Sequence, residues 1–231
     1  MEQLKTNWEN IGLSNDFLFG KIMRKPALCK RMLEIILGVK IDRLEYLESQ
    51  KSIDEEWDAR SIRLDIYVQD NREVAYNIEI QTTNTGDLPK RSRYYQSVLD
   101  MQQLNKGERY KNLKRTYIIF ICTFDPFHKG LPIYTFTHCC KEDNKVQLKD
   151  EETRMFLNSK GSENAADPDI AAFLRYVDGK AAEGHFAERL DQEVHFVKGM
   201  DKVRREYMIL SDEIRRRQNE AKEEGMEERQ R

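Results

Sequence analysis

Arg63-Leu64-Asp65-Ile66-Tyr67-Val68 and Tyr76-Asn77-Ile78-Glu79-Ile80-Gln81 are the two segments that decide how this chain folds. Each alternates polar and apolar residues with a period of two, the signature of a strand with one face turned to a core. In the first, Leu64, Ile66 and Val68 lie opposite Arg63, Asp65 and Tyr67; in the second, Ile78 and Ile80 lie opposite Asn77, Glu79 and Gln81. Only residues 69–73, with Asp70-Asn71 among them, separate the two, so the sequence predicts an antiparallel hairpin. Such pairing sets Asp65 and Glu79 on adjacent strands, facing the same way and within reach of one ion. Two carboxylates and a polar neighbour on a sheet surface suit a hard divalent cation such as magnesium. The same pattern also describes the wet face of a half-exposed sheet. Like charges side by side on that face repel, which favours a cation between them.

Upstream, residues 16–37 read as a helix capped by Asn15 or Ser14, with Phe17, Ile22, Met23, Leu33, Ile36 and Leu37 on its buried side. Pro26 kinks or splits it, and Gly38 is placed to cap its end. Residues 44–53 read as a weakly patterned first strand. Downstream of a polar loop, Asp87-Leu88-Pro89 opens a second helix that runs to about Leu104 and is broken by Gly107. Arg91, Tyr94, Tyr95, Val98, Leu99 and Gln102 share one broad face of it. Residues 116–123 form an apolar, buried strand ended by Asp125-Pro126. The order is therefore helix, three strands, helix, strand.

Beyond it, residues 133–136, 146–148 and 154–158 read as short extended pieces that enlarge the sheet or form a side hairpin. Asp167-Pro168 opens a short helix stopped by Gly179. Apolar residues at 190, 194, 197, 203, 207, 210 and 214 mark a long amphipathic helix, with Gly199 its weak point. The chain thus divides into a domain over residues 1–184 and a highly charged helical extension over residues 185–231.

A length of 231 residues suffices for one medium core, alone or with an appendage. The 35% charged content fits a soluble domain with long exposed helices. No segment approaches the roughly 18 apolar residues of a membrane helix, and the N-terminus lacks the apolar stretch of a signal peptide; a cytoplasmic protein with no membrane partner is expected. Cys29, Cys122, Cys139 and Cys140 make no Cys-x-x-Cys pair, and the first two read as buried free thiols. His128, His138, His185 and His195 share no spacing and read as structural or solvated. Phosphate-cradling glycine loops, nucleophile elbows and zinc-finger spacings are absent. The net charge of −2 argues against a general polyanion binder. Residues 90–115 nevertheless carry Lys90, Arg91, Arg93, Lys106, Arg109, Lys111, Lys114 and Arg115 against only Asp100 and Glu108. A cationic strip beside two carboxylates is what a phosphodiester substrate requires, and an ordinary solvated helix face is the alternative.

Asp65 on one strand and Glu79-Ile80-Gln81 on the next resemble the PD-(D/E)xK nuclease signature, with Gln where that superfamily usually has Lys. Further matches are Asn15-Asp16-Phe17-Leu18-Phe19, Arg91-Ser92-Arg93-Tyr94-Tyr95-Gln96-Ser97, Gly107-Glu108-Arg109-Tyr110 and Thr116-Tyr117-Ile118-Ile119-Phe120-Ile121. In that order they resemble the Rpn group of recombination-promoting nucleases, or PD-(D/E)xK-family transposases.

The resemblance implies an α/β, restriction-endonuclease-like core of order α-β-β-β-α-β with a helical C-terminal extension. It implies magnesium-dependent DNA endonuclease activity linked to recombination or mobile elements, with Mn2+ or Ca2+ able to substitute in binding. Asp65 and Glu79, with the carbonyl of Ile80, would hold the metal, and Gln81 would orient the water or the scissile phosphate. Gln hydrogen-bonds but carries no charge. Arg91, Arg93 and Tyr95 become candidates for nucleic-acid contact, and Asp16 or Glu34 for an extra acidic group. A catalytically silent nucleic-acid-binding or regulatory protein on the same fold is the rival reading. A third makes the C-terminal helix a homo-oligomerisation element.

Overall fold

The computed structural model describes residues 8–46 and 66–230. The first expected helix is split where proline dictates. Helix α1 (Asp16–Met23) is capped by the Asn15 side chain, which accepts from Leu18 N–H at 3.2 Å. Helix α2 (Pro26–Leu37) then starts with Pro26, whose missing N–H costs nothing in a first turn. Gly38 ends it in the left-handed conformation, φ 65°, a position that a residue with a Cβ adopts only under strain.

Strand β1 (Leu44–Tyr46) is shorter than expected, and the rest of its anticipated span lies outside the described residues, as do residues 63–65. Strands β2 (Ile66–Asp70) and β3 (Ala75–Gln81) form the antiparallel hairpin, with Ile66 opposite Ile78 and Val68 opposite Tyr76. Gln69 and Asp70, expected in the loop, extend the strand instead. The reason is Asp70 itself. Its buried carboxylate accepts from Arg72 N–H at 2.8 Å, Val74 N–H at 3.0 Å and the Tyr76 hydroxyl at 2.9 Å. Those bonds fold the turn tightly and hold its register. Burial, helped by the same hydroxyl bond, pushes the Tyr76 phenol above its ordinary range.

After β3 come α3 (Leu88–Gln103), β4 (Thr116–Cys122), β5 (Ile133–Phe136), β6 (Glu152–Asn158) and three further helices, α4 (Pro168–Val177), α5 (His185–Lys198) and α6 (Asp201–Gln230). The six strands lie in the order β1-β2-β3-β4-β6-β5, parallel at β3–β4 and β4–β6 and antiparallel elsewhere. The residue 146–148 piece makes only an isolated bridge, Cys139 with Gln147.

Two apolar clusters cover the two faces of the sheet. Ile66, Val68, Ile78, Ile80, Ile119, Ile121 and Leu157 pack against α1, α2, α4 and α5. On the other face Tyr67, Ala75, Ile118, Phe120, Cys122 and Phe156 pack against Leu88, Tyr95 and Leu99 of α3. The polar alternation of β3 therefore does not mark a wet surface: Asn77 is 0% and Glu79 only 3% exposed. Parallel strands need a crossover connection, and the crossover helix lies over that face.

The C-terminal stripe is two helices, separated at Gly199 and Met200. Leu190, Val194, Val197, Val203 and Tyr207 join the same apolar cluster as Trp8 and Leu18, so the core runs past residue 184. Trp8 packs on Tyr207 at 5.1 Å between ring centroids and donates from Nε1 to the Lys198 carbonyl at 3.3 Å. Lys21 pairs with Glu206 at 2.5 Å, and Lys25 with Glu193. Most of the stripe expected to drive oligomerisation is thus spent within one chain. No helix among the described residues is long and apolar enough to cross a membrane.

Replacing Asp70 with Ala should lower the unfolding free energy by about 3 kcal/mol, because it orphans buried donors that shared one carboxylate. Urea denaturation of the two proteins measures the difference.

Candidate active site

Strand β3 places Asn77, Glu79 and Gln81 on its α3 face, and β4 sets Ile118, Phe120 and Cys122 beside them in that order. The Asn77 amide donates to Glu79 Oε1 at 3.4 Å, a long bond between two buried groups. Among the described residues the Asn77 side-chain oxygen is buried with no partner. Above the strands, Arg91 in the first turns of α3 lays its guanidinium over Phe120, at 5.3 Å, and Tyr95, at 5.6 Å. Tyr95 stacks in turn on Phe120, with centroids 6.0 Å apart. Burial pushes the Cys122 thiol up to about 12, and the positive charge of Arg91 pulls against it.

Further along α3 the polar coverage continues. The Thr116 hydroxyl donates to Gln96 Oε1 at 2.9 Å, and Gln96 Nε2 donates to Asp100 Oδ1 at 2.7 Å. Burial raises the Asp100 carboxyl from its ordinary range; the Gln96 bond opposes that shift and the Asp150 charge adds to it.

At the C-terminal end of β3 a cavity of about 510 Å³ opens between Ile80, Gln81 and Thr82 on one side and Gly12, Asn15 and Asp16 on the other. This cavity brings two of the expected site elements together, Gln81 from the hairpin and Asp16 from the start of α1. Asp16 is exposed, its Oδ1 accepting from Phe17 N–H at 2.7 Å. Glu34 is elsewhere: it accepts from Ile41 N–H at 3.1 Å and lies near Arg31, fastening the chain after α2. Arg93 is exposed on α3. Tyr95, an expected nucleic-acid contact, is a core residue at 8% exposure, whereas Tyr94 beside it is 44% exposed. Asp65 lies outside the described residues. Asp125, just past β4, accepts from Gly130 N–H and the Tyr134 hydroxyl, both at 2.7 Å, and is spent on shaping its own loop.

One cluster has no counterpart in the sequence reading. His138, Asp150 and Glu152 bring potential ligand atoms within 4.8 Å of one another, with His138 Nδ1 2.5 Å from Asp150 Oδ2. The signal lies in pairing: Leu148 N–H donates to the His138 carbonyl at 2.9 Å, which folds residues 138–148 back on themselves. Glu152 is already paired with Arg154.

Hard oxygen donors on β3, a cation over the adjoining rungs and an open cleft at the strand ends can together receive a phosphate ester and a divalent ion. A family model described as PD-(D/E)XK nuclease family transposase matches residues 14–227. No curated protein and no solved structure matches the chain.

Truncating Tyr95 to Ala should cost about 3 kcal/mol of stability, whereas Tyr94→Ala should stay within about 0.5 kcal/mol. Thermal or urea unfolding of both variants checks which tyrosine holds the helix to the sheet.

Proposed function

This chain belongs to the PD-(D/E)XK nuclease family transposases, and we propose that it is a divalent-metal-dependent endonuclease hydrolysing phosphodiester bonds in DNA. The family points to a nuclease-type hydrolase in general; DNA as substrate, magnesium as cofactor and the link to recombination are our reading of this chain. The observation that carries it is the assembly on β3. Glu79 is buried on the same rung as Phe120, the ring over which Arg91 lies, and Gln81, two residues on, lines a cleft shared with Asp16.

The reading assigns Asp65 and Glu79 as carboxylate ligands, helped by the carbonyl of Ile80. The donors are all hard oxygens, a set that fits magnesium, with manganese or calcium as substitutes. A bound divalent cation would supply a more acidic water and charge neutralisation at the phosphate. Gln81 holds the attacking water or a phosphoryl oxygen by hydrogen bonding, without moving a proton of its own. Arg93 and the exposed lysines after α3 contribute salt-sensitive contacts to the phosphate backbone. Asp16, at the rim of the cleft, is placed to add a further carboxylate through the site's solvent.

The neutral side chain at position 81 favours a second reading, a nucleic-acid-binding protein that does not cut. The two readings separate in one assay on supercoiled plasmid. With magnesium, the wild type should nick and linearise it, while Asp65→Ala and Glu79→Ala should each cut at least about 100-fold more slowly. Equal cleavage by all three removes the site assignment. Salt-dependent binding without cleavage in magnesium, manganese or calcium establishes the second reading.

A further inference from the structure

We propose that Arg91 acts on the phosphate under attack, supplying from α3 the positive charge that position 81 lacks. The inference rests on the nuclease reading above and gives Arg91 a role in rate rather than in affinity. In hydrolysis the water oxygen forms a new bond to phosphorus and the bond from phosphorus to the leaving ester oxygen breaks. The water gives up a proton to solvent, and the leaving oxygen takes one from solvent. Between those events negative charge gathers on the non-bridging phosphoryl oxygens. A fixed cation aimed there is worth more than one that must reorganise. Glu79 is acidic and Gln81 neutral, so neither side chain can meet that charge.

Arg91 is the arginine placed to do so. Its guanidinium lies over Phe120, the Cα partner of Glu79, and its charge is felt at Cys122, the partner of Gln81. Paired residues of neighbouring strands sit about 4.8 Å apart and point to the same face, so Arg91 stands over the two rungs that carry Glu79 and Gln81. Arg93, two residues on, faces away from that side of the helix and is exposed.

Arg91 is also held unusually. Among the described residues its buried Nε has no hydrogen-bond partner and no carboxylate forms an ion pair with it. A half-buried cation without a counter-ion is destabilising, and the stacking on Tyr95 and Phe120 offsets only part of that. An ion-paired arginine would be neutralised before substrate arrives. Arg91 offers its charge to an incoming anion, and a guanidinium has only donors, no acceptor with which to serve as the base.

The test separates rate from binding. Single-turnover cleavage of a short DNA duplex is followed in magnesium, and the Kd for the same duplex is measured in calcium. Arg91→Met keeps the packed stem without the charge. It should cut about 100- to 1000-fold more slowly with Kd changed less than about threefold, whereas Arg93→Ala should chiefly weaken binding. Adding Gln81→Lys to Arg91→Met should restore the rate by about tenfold or more, because the new ammonium enters the same face of the same rung. Circular dichroism and thermal melting confirm that each variant is folded, and the neutral Arg91→Gln serves where Arg91→Met is not. Cleavage by Arg91→Met at the wild-type rate, or slowed only in step with Kd, overturns the proposal while leaving Asp65 and Glu79 in place. A wild type that does not cut overturns both.

Discussion

Parallel pairing between β3 and β4 runs from Ala75 beside Thr116 to Gln81 beside Cys122, and it leaves no short way to join the two strands. The chain must climb off the sheet, cross it and return, and α3 is that crossing. Almost everything of interest in this protein follows from where the crossing lies. It buries the polar side of β3, brings an arginine above Phe120, the strand partner of Glu79, and leaves the strand ends open where β3 gives way to loop. β6 then adds to β4 in the same parallel sense, so the central strand is clamped on both edges and both faces.

A polar face beneath a helix is a costly arrangement unless its groups satisfy one another. Here part of it does. Thr116, Gln96 and Asp100 form a short relay of hydrogen bonds, and Asp70 gathers the donors of its own turn. Around Asn77 and Arg91 the satisfaction among the described residues is incomplete, with an amide oxygen and a guanidinium nitrogen left over. Incomplete pairing in a low-dielectric setting makes every remaining charge act more strongly on whatever enters. The well-satisfied end of α3 holds the structure together; its poorly satisfied end faces the candidate site.

Much of this could be read from the chain because it is written in local chemistry. Pro26, Gly38 and Asp167-Pro168 mark helix ends by restricting backbone angles or offering caps, and each does so in the structure. The hairpin was legible from alternation. What alternation could not report is what covers each face, since period two records only that the faces differ. Tyr94 and Tyr95 show the same limit: neighbours on a helix point about 100° apart, and only the position of the sheet decides which is buried. Of the site, Glu79 and Gln81 were visible as a motif and Asp16 as a helix-start acid. Their meeting at one cleft depends on how α1 packs, which no spacing encodes. The His138 cluster was hidden for a related reason, because its three members meet only after a hairpin folds and β6 takes its register.

The turn held by Asp70 reaches further than its few hydrogen bonds. Side chains alternate along a strand, so sliding β2 by one residue against β3 would exchange the faces it presents. Tyr67 would then meet the aliphatic cluster while Ile66 and Val68 met α3. The turn thus behaves as a counting device: it fixes the parity of the hairpin. Length changes in this protein should be tolerated readily in the exposed tip around residues 141–145, which lies inside the turn beyond the Cys139–Gln147 bridge. A single residue inserted between Asp70 and Tyr76 would instead send a correctly folded half of the sheet to the wrong side of the other.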